Sequence, residues 1–340
     1  MSPPALPAPL ASARPRSPSF PMPHPGIART VEIAPGVHMP RLALGTFRLH
    51  GDRLAETLPA ALDAGCAHVD TASCYRNEAA IRDALRLPRL RASSGSSSSP
   101  HPSSESSAAR RLSDAPFLTS KIAPREMRDP DGAVDAILAR LGVAALDLAL
   151  VHWPGLDKTA PEDADAHRAA RERTWRCLER QLRLGRVRAI GVSNYAVAHL
   201  RELESYATVR PAVNQVESHP RLVAANADLE RYCAERGIHL VAYSPLGCGD
   251  LLGAPEVAAE ANALGCAASR ALIAWALRRG WSVAVKCSSA ARARENFGEG
   301  SGGGAFELAG RGDESAREAF AALDGMDDGT RYCWDPNVVR

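Results

Sequence analysis

The chain has 340 residues, 45% hydrophobic and 24% charged, with a formal net charge of +2. That is ordinary globular composition, and so small a charge supplies almost no field for a nucleic-acid partner. No apolar run reaches the ~18 residues of a membrane span, and the eight cysteines form no CxxC pair, which argues against a zinc site or a stapled secreted scaffold and for reduced thiols inside a cell.

Residues 1–28 carry nine prolines, four serines and no acid. They read as a disordered tail, with an organelle transit peptide as the alternative and Met22 as a second start. The expected location is therefore cytoplasmic, or plastid or mitochondrial if the tail is an address. From residue 29 to 340 we expect a single domain. Short apolar runs of strand length follow at 42–44, 67–69, 117–119, 148–151, 189–192, 212–216, 240–242 and 283–285, with helical patterns between them. Trp175, Leu178 and Leu182 mark one helix before Gly185, and Leu200, Leu203 and Tyr206 mark the next. The segments 226–237 and 268–280 end in glycine, as helix C-caps do. Eight strands alternating with helices predict an α/β fold with a parallel sheet, and eight is the number that closes a (β/α)8 TIM barrel. Ten of the fifteen residues from Ser93 to Ser107 are serine, so about 91–109 reads as a disordered insertion between the second helix and the third strand, at the rim opposite a barrel's active site. The Gly-rich stretch 298–304 satisfies G-x-G-x-x-G but lacks the flanking strand and helix that give that motif meaning.

The strand ends carry the polar chemistry. They are Gly45-Thr46, Asp70 (with Tyr75, Asn77 and Glu78 beyond), Lys121, His152-Trp153, Ser193-Asn194, Gln215 (with Glu217 and His219 beyond), Tyr243-Ser244 and Lys286. In a (β/α)8 barrel these converge on one rim. The 41 basic residues include only three lysines, Lys121, Lys158 and Lys286, and two of them are in this set. Where a compact ammonium is required, arginine is no substitute. Asp70 and Lys121 should pair, and an ammonium beside Tyr75 should lower its pKa. His152 should orient a carbonyl. Each has a bland alternative: an N-cap for Asp70, a surface cation for Lys121, ring packing for Tyr75, a hydrogen-bonded rim residue for His152. Together they form a proton-transfer site with no evident nucleophile and no metal-ligand spacing.

These residues resemble the aldo-keto reductase superfamily over roughly 30–334. GCAHVDTASCYRNE at 65–78 is similar to its first signature, FLTSK at 117–121 to its lysine strand and LVHWP at 150–154 to its histidine strand. RAIGVSN at 188–194, PAVNQVESHP at 211–220 and AYSPLG at 242–247 resemble the nicotinamide-binding segments, and VKCSSAARARENF at 285–297 the adenosine-phosphate segment. The resemblance implies reduction of aldehydes and ketones with NADPH, with Asp70, Tyr75, Lys121 and His152 as catalytic tetrad and Tyr75 as general acid. It places Gly45, Thr46, Ser193, Asn194, Gln215, Tyr243, Ser244 and Leu246 along the cofactor. Lys286, Ser288, Ser289 and Arg292 fall at its 2′-phosphate, Glu295 and Asn296 at the adenosine, and Phe47, His152 and Trp153 at the substrate. It implies a small-molecule carbonyl substrate, no metal, no nucleic-acid or membrane partner, and a monomer.

The sequence departs from the family's pattern at Cys287, which removes a phosphate-binding hydroxyl, at Arg82 and Pro124, and in the longer 298–304 loop. Two alternatives on the same barrel are a cofactor-binding regulatory protein without turnover and a Schiff-base aldolase using Lys121 or Lys286. The substrate depends on the mouth, where a short loop at 248–253 suggests an open pocket and Tyr332 and Trp334 are candidates to cover it.

Overall fold

The computed structural model describes residues 27–93, 115–298 and 304–340. Most of the N-terminal tail, most of the serine-rich insertion and the centre of the Gly-rich stretch lie outside the described residues. An antiparallel hairpin, β1 (Thr30–Ala34) and β2 (Val37–Pro40), precedes eight parallel strands: β3 (Leu42–Gly45), β4 (His68–Asp70), β5 (Phe117–Ile122), β6 (Leu146–Val151), β7 (Val187–Ser193), β8 (Val213–Glu217), β9 (His239–Tyr243) and β10 (Ser282–Val285). The eight close into a barrel in chain order, with β10 against β3. Each of the eight barrel strands contains or overlaps one of the eight apolar runs.

Helices cover the outside: α1 (Gly51–Asp63), α2 (Glu78–Ser93), α3 (Pro130–Leu141), α4 (Ala164–Arg183), α5 (Val197–Glu204), α6 (Val223–Arg236), α7 (Pro255–Leu264) and α8 (Ala268–Arg278). Three more, α9 (Ala290–Phe297), α10 (Ala305–Gly310) and α11 (Glu314–Asp324), follow β10. Their boundaries have local causes. α3 starts where Asp129 accepts the Gly132 N–H at 3.1 Å with Pro130 in the first turn, and stops at Gly142 in the left-handed region. α2 runs to Ser93, three residues into the stretch read as unstructured from about Arg91. α5 ends at Glu204, so Tyr206 lies in the turn beyond the helix it was expected to mark, although it is buried.

Side chains alternate across each strand and so divide the core in two. Leu44, Val69, Leu118, Ala149, Val151, Ile190, Val192, Val216, Ala242 and Val285 face the helices. Ala43, Phe117, Leu148, Leu150, Ala189, Val213, Val241 and Ala284 face inward and form a separate cluster with Val37 and Met39 of the hairpin. The hairpin therefore plugs the N-terminal end of the barrel. Burial of each of these two side chains contributes about 1.5–3 kcal/mol. The interior is tight: a Cβ on Gly191 would lie 2.6 Å from the Val213 carbonyl oxygen and 2.8 Å from Leu150 Cδ2.

Candidate active site

Following the inward series of each strand toward its C-terminal end leads from carbon to polar atoms. On β5, Phe117 and Thr119 are succeeded by Lys121; on β6, Leu148 and Leu150 by His152; on β8, Val213 by Gln215. The period of two thus delivers Asp70, Lys121, His152, Ser193, Gln215, Tyr243 and Lys286 to one rim.

The deepest of these is an ion pair. Lys121 Nζ lies 2.5 Å from Asp70 Oδ1 and donates to the Thr71 carbonyl at 2.9 Å. The two side chains are 1% and 5% exposed, so the charges meet out of water. Gln215 Nε2 donates to the other Asp70 oxygen at 2.7 Å. The Lys121 ammonium sits 5.4 Å from the Tyr75 ring centroid, and the rings of Tyr75 and His152 are 5.7 Å apart, edge to face. The four residues expected to form the proton-transfer site are thus brought together.

Their electrostatics differ in one respect from expectation. Burial, and next the Asp70 carboxylate, raise the Tyr75 phenol well above its ordinary pKa of 10. The expected lowering fails because a phenolate there would be desolvated and would face the Asp70 carboxylate. Burial, reinforced by Lys121, holds His152 well below 6.5, so its imidazole is neutral. Its Nδ1 lies 3.5 Å from Cys74 Sγ, a contact the sequence did not point to. Asn77, also on this loop, braces it instead of entering the site: its amide donates to the Thr46 and Leu49 carbonyls at 2.8 and 3.0 Å.

Across the mouth, Tyr243 Oη donates to Asn194 Oδ1 at 2.7 Å, and Asn194 Nδ2 donates to the His152 carbonyl at 2.9 Å and to Ser193 Oγ at 3.1 Å. Ser193 in turn donates to the Gln215 carbonyl. Thr46 is fully buried and donates to the Asp70 carbonyl at 2.9 Å, so its side chain secures β3 to β4. The backbones also meet there: a Cβ on Gly45 would come within 3.4 Å of the Val285 carbonyl carbon. Phe47 is half exposed and packs 5.1 Å from the Tyr75 ring.

Beyond β10 the polar groups form a cationic ledge. Lys286 is exposed and makes no hydrogen bond or ion pair among the described residues. Arg292 Nη1 donates to Ser288 Oγ at 3.1 Å, while Ser289 caps α9 by accepting the Arg292 N–H at 3.3 Å. Glu295 accepts from Ser269 Oγ at 2.7 Å, and Asn296 is buried. Cys287 is buried among apolar groups, which push its thiol up to about 12. An exposed ammonium, a guanidinium and two hydroxyls on one short segment suit a phosphate monoester.

The C-terminal tail crosses the mouth. Tyr332 donates its backbone N–H to Glu217 Oε1 and its hydroxyl to Asp250 Oδ2, both at 2.6 Å, and packs on His219 at 5.0 Å between ring centroids. Arg221 bridges the same Asp250 at 2.9 Å. Trp334 tilts over Trp153 with 6.0 Å between ring centroids. Both aromatics expected to cover the mouth lie there, and Ser244 and Leu246 lie in the turn after β9. Glu217 and His219, polar strand-end residues without an assigned partner in the sequence, contact this tail through Tyr332. Among the described residues no helix is long and apolar enough to cross a membrane.

The aldo/keto reductase family model matches residues 41–301. An aldo-keto reductase of Mycolicibacterium vanbaalenii is 35% identical over 302 residues, covering 88% of this chain and 92% of its own. The glyoxal reductase of Bacillus subtilis is 34% identical over 270 residues, covering 78% and 85%. Among solved structures, an aldo-keto reductase from a Medee basin deep-sea metagenome library superposes with a TM-score of 0.71 at 27% identity, covering 92% of this chain and 99% of that one. An aldo-keto reductase complexed with NADPH gives 0.70 at 26% identity, covering 93% and 91%. The family match spans every strand of the barrel, and with it the rim that carries the Asp70–Lys121 pair: the chain belongs to the aldo-keto reductase family, oxidoreductases that act on carbonyl groups.

Proposed function

We propose that the protein reduces aldehydes and ketones to alcohols with NADPH, with Tyr75 as the acid that protonates the carbonyl oxygen. The observation that carries this reading is the buried Lys121–Asp70 pair set beneath the Tyr75 ring with His152 beside it. The folded unit that does this is the stretch from about residue 29 onward.

Each residue has a definable task. Tyr75 keeps its proton through the physiological range because burial disfavours the phenolate. It is therefore loaded before substrate arrives. When the proton leaves, the ammonium of Lys121 faces the charge that develops on the ring, and Asp70 fixes that ammonium in place. His152 is neutral and can donate a hydrogen bond to the substrate oxygen without competing as an acid. Trp153, Phe47 and Trp334 form an aromatic mouth suited to the apolar part of a carbonyl compound.

NADPH, when bound, supplies the hydride to the carbonyl carbon. Tyr243, Asn194, Ser193 and Gln215 would hold its nicotinamide, and Gln215 Oε1 has no partner among the described residues. Lys286, Arg292, Ser288 and Ser289 would hold the 2′-phosphate, with Glu295 and Asn296 toward the adenosine. The unpaired Lys286 ammonium is the feature that suits this group best. A structural relative at 26% identity is complexed with NADPH, which supports a nicotinamide cofactor. The reading is tested by following NADPH absorbance with a panel of aldehydes and ketones. Oxidation that depends on both protein and carbonyl supports it; NADPH binding without turnover on any of them rejects it.

A further inference from the structure

Two cysteines reach the mouth from distant parts of the chain. Cys248 lies in the turn after β9 and Cys333 in the tail, and both sulfurs rest against one hydroxyl, Ser244 Oγ, at 3.7 and 3.8 Å. Cys248 is exposed and Cys333 half-buried. The neighbours of both are already fastened together. Tyr332, adjacent to Cys333, donates its hydroxyl to Asp250, two residues beyond Cys248. Its ring closes on Gly247, where an added Cβ would lie 2.8 Å from Tyr332 Cε2. The thiols are therefore held as an intramolecular pair.

We propose that Cys248 and Cys333 are a redox modification site, in which a hydroperoxide oxidises the pair to a disulfide that fastens the C-terminal tail to the turn after β9. The Cys248 sulfur attacks the terminal peroxide oxygen, the O–O bond breaks, and water or the parent alcohol leaves, giving a sulfenic acid. The Cys333 sulfur then attacks the Cys248 sulfur, the S–O bond breaks and water leaves as the S–S bond forms. The two thiols give up two protons and two electrons, and the peroxide accepts both. The order follows from exposure, since Cys248 is the thiol a solvent oxidant meets. Burial pushes the Cys333 thiol up to about 11, which makes it the less reactive of the two toward peroxide. A disulfide needs its sulfurs at about 2.05 Å, so the exposed Cys248 side chain must turn past the Ser244 hydroxyl. Its backbone, with φ of 56° at Cys248 and 103° at Gly249, occupies the left-handed region in a compact surface turn.

The consequence rests on the proposed cofactor site. Ser244 touches both sulfurs and Tyr243 precedes it, so a fastened tail would slow exchange of NADPH past them.

The test treats the full chain with a small excess of hydrogen peroxide, then maps tryptic peptides without reduction. The expected product joins the peptide beginning at Tyr332 to the one containing Cys248, lighter by two hydrogens, with two thiols lost. Cys248→Ser and Cys333→Ser should each abolish that link, independently of protein concentration. NADPH release by stopped-flow fluorescence should be several-fold slower in the linked protein and restored by dithiothreitol. Thiol loss without the link, or a link that survives Cys248→Ser through Cys266 of the same peptide, overturns the proposal. So does a linked protein that releases NADPH as fast as the reduced one. If reduced protein binds no NADPH, the cofactor reading fails, while the peptide map still decides whether the pair exists.

Discussion

Lys121→Met should destabilise the fold as well as stop turnover. The Lys121 and Asp70 side chains are almost wholly shielded from water, and their charges are 2.5 Å apart. Methionine removes the ammonium and leaves a carboxylate whose remaining hydrogen bond comes from Gln215 at 2.7 Å. Stranding one charge of a buried pair costs about 3–5 kcal/mol. Asp70→Asn in the same background replaces the stranded charge with a neutral amide of similar shape, so the double variant should recover much of that loss. Urea unfolding of the four proteins, followed by tryptophan fluorescence, gives the coupling from a double-mutant cycle. We expect about 3 kcal/mol or more for Lys121→Met and a double variant clearly more stable than the sum of the single losses predicts. A cost within the ~0–1 kcal/mol of a surface pair, or strictly additive losses, would refute the view of the pair as a buried charge device.

The other perturbations address the cofactor and pH. Lys286→Met should raise KM for NADPH far more than for NADH, because the exposed ammonium is assigned to the phosphate that only NADPH carries; equal effects on both would remove the assignment. Stability should fall as pH drops from 7 to 5. Burial holds His239 down at about 4 against an unfolded value of 6.5, and lowers His68 as well. The unfolded chain therefore takes up protons first: the loss begins near pH 6.5 and levels off only below the folded value. His239 alone accounts for at most about 2 kcal/mol at pH 5. His239→Gln, which keeps a partner for Ser282, should flatten that slope in urea midpoints measured at each pH.

The barrel was legible because its signals are local. Each inward strand position is set by a period of two, and Phe117-x-Thr119-x-Lys121 already shows carbon giving way to charge toward the rim. The Asp70–Lys121 pair followed from strand adjacency, which the parallel register supplies. The N-terminal hairpin was not read, although Val31/Ile33 and Val37/Met39 alternate about Pro35-Gly36; its strands are too short to stand out beside a proline-rich tail. The direction of the Tyr75 shift needed the depth of burial and the nearness of Asp70, which no motif states. The tail contacts of Tyr332 with Glu217 and Asp250 join residues 115 and 82 positions apart, and nothing in the local pattern of either segment announces the other.

The central claim is that Tyr75 delivers the proton. Tyr75→Phe removes one hydroxyl and keeps the ring that packs between Phe47 and His152, so fold and cofactor site should persist. Single-turnover reduction of a simple aldehyde by prebound NADPH measures the step directly. The account predicts unchanged NADPH affinity and a rate lower by at least the ~10²–10⁴ that a general acid contributes. Near-native reduction by Tyr75→Phe would contradict it, because the proton would then come from another group.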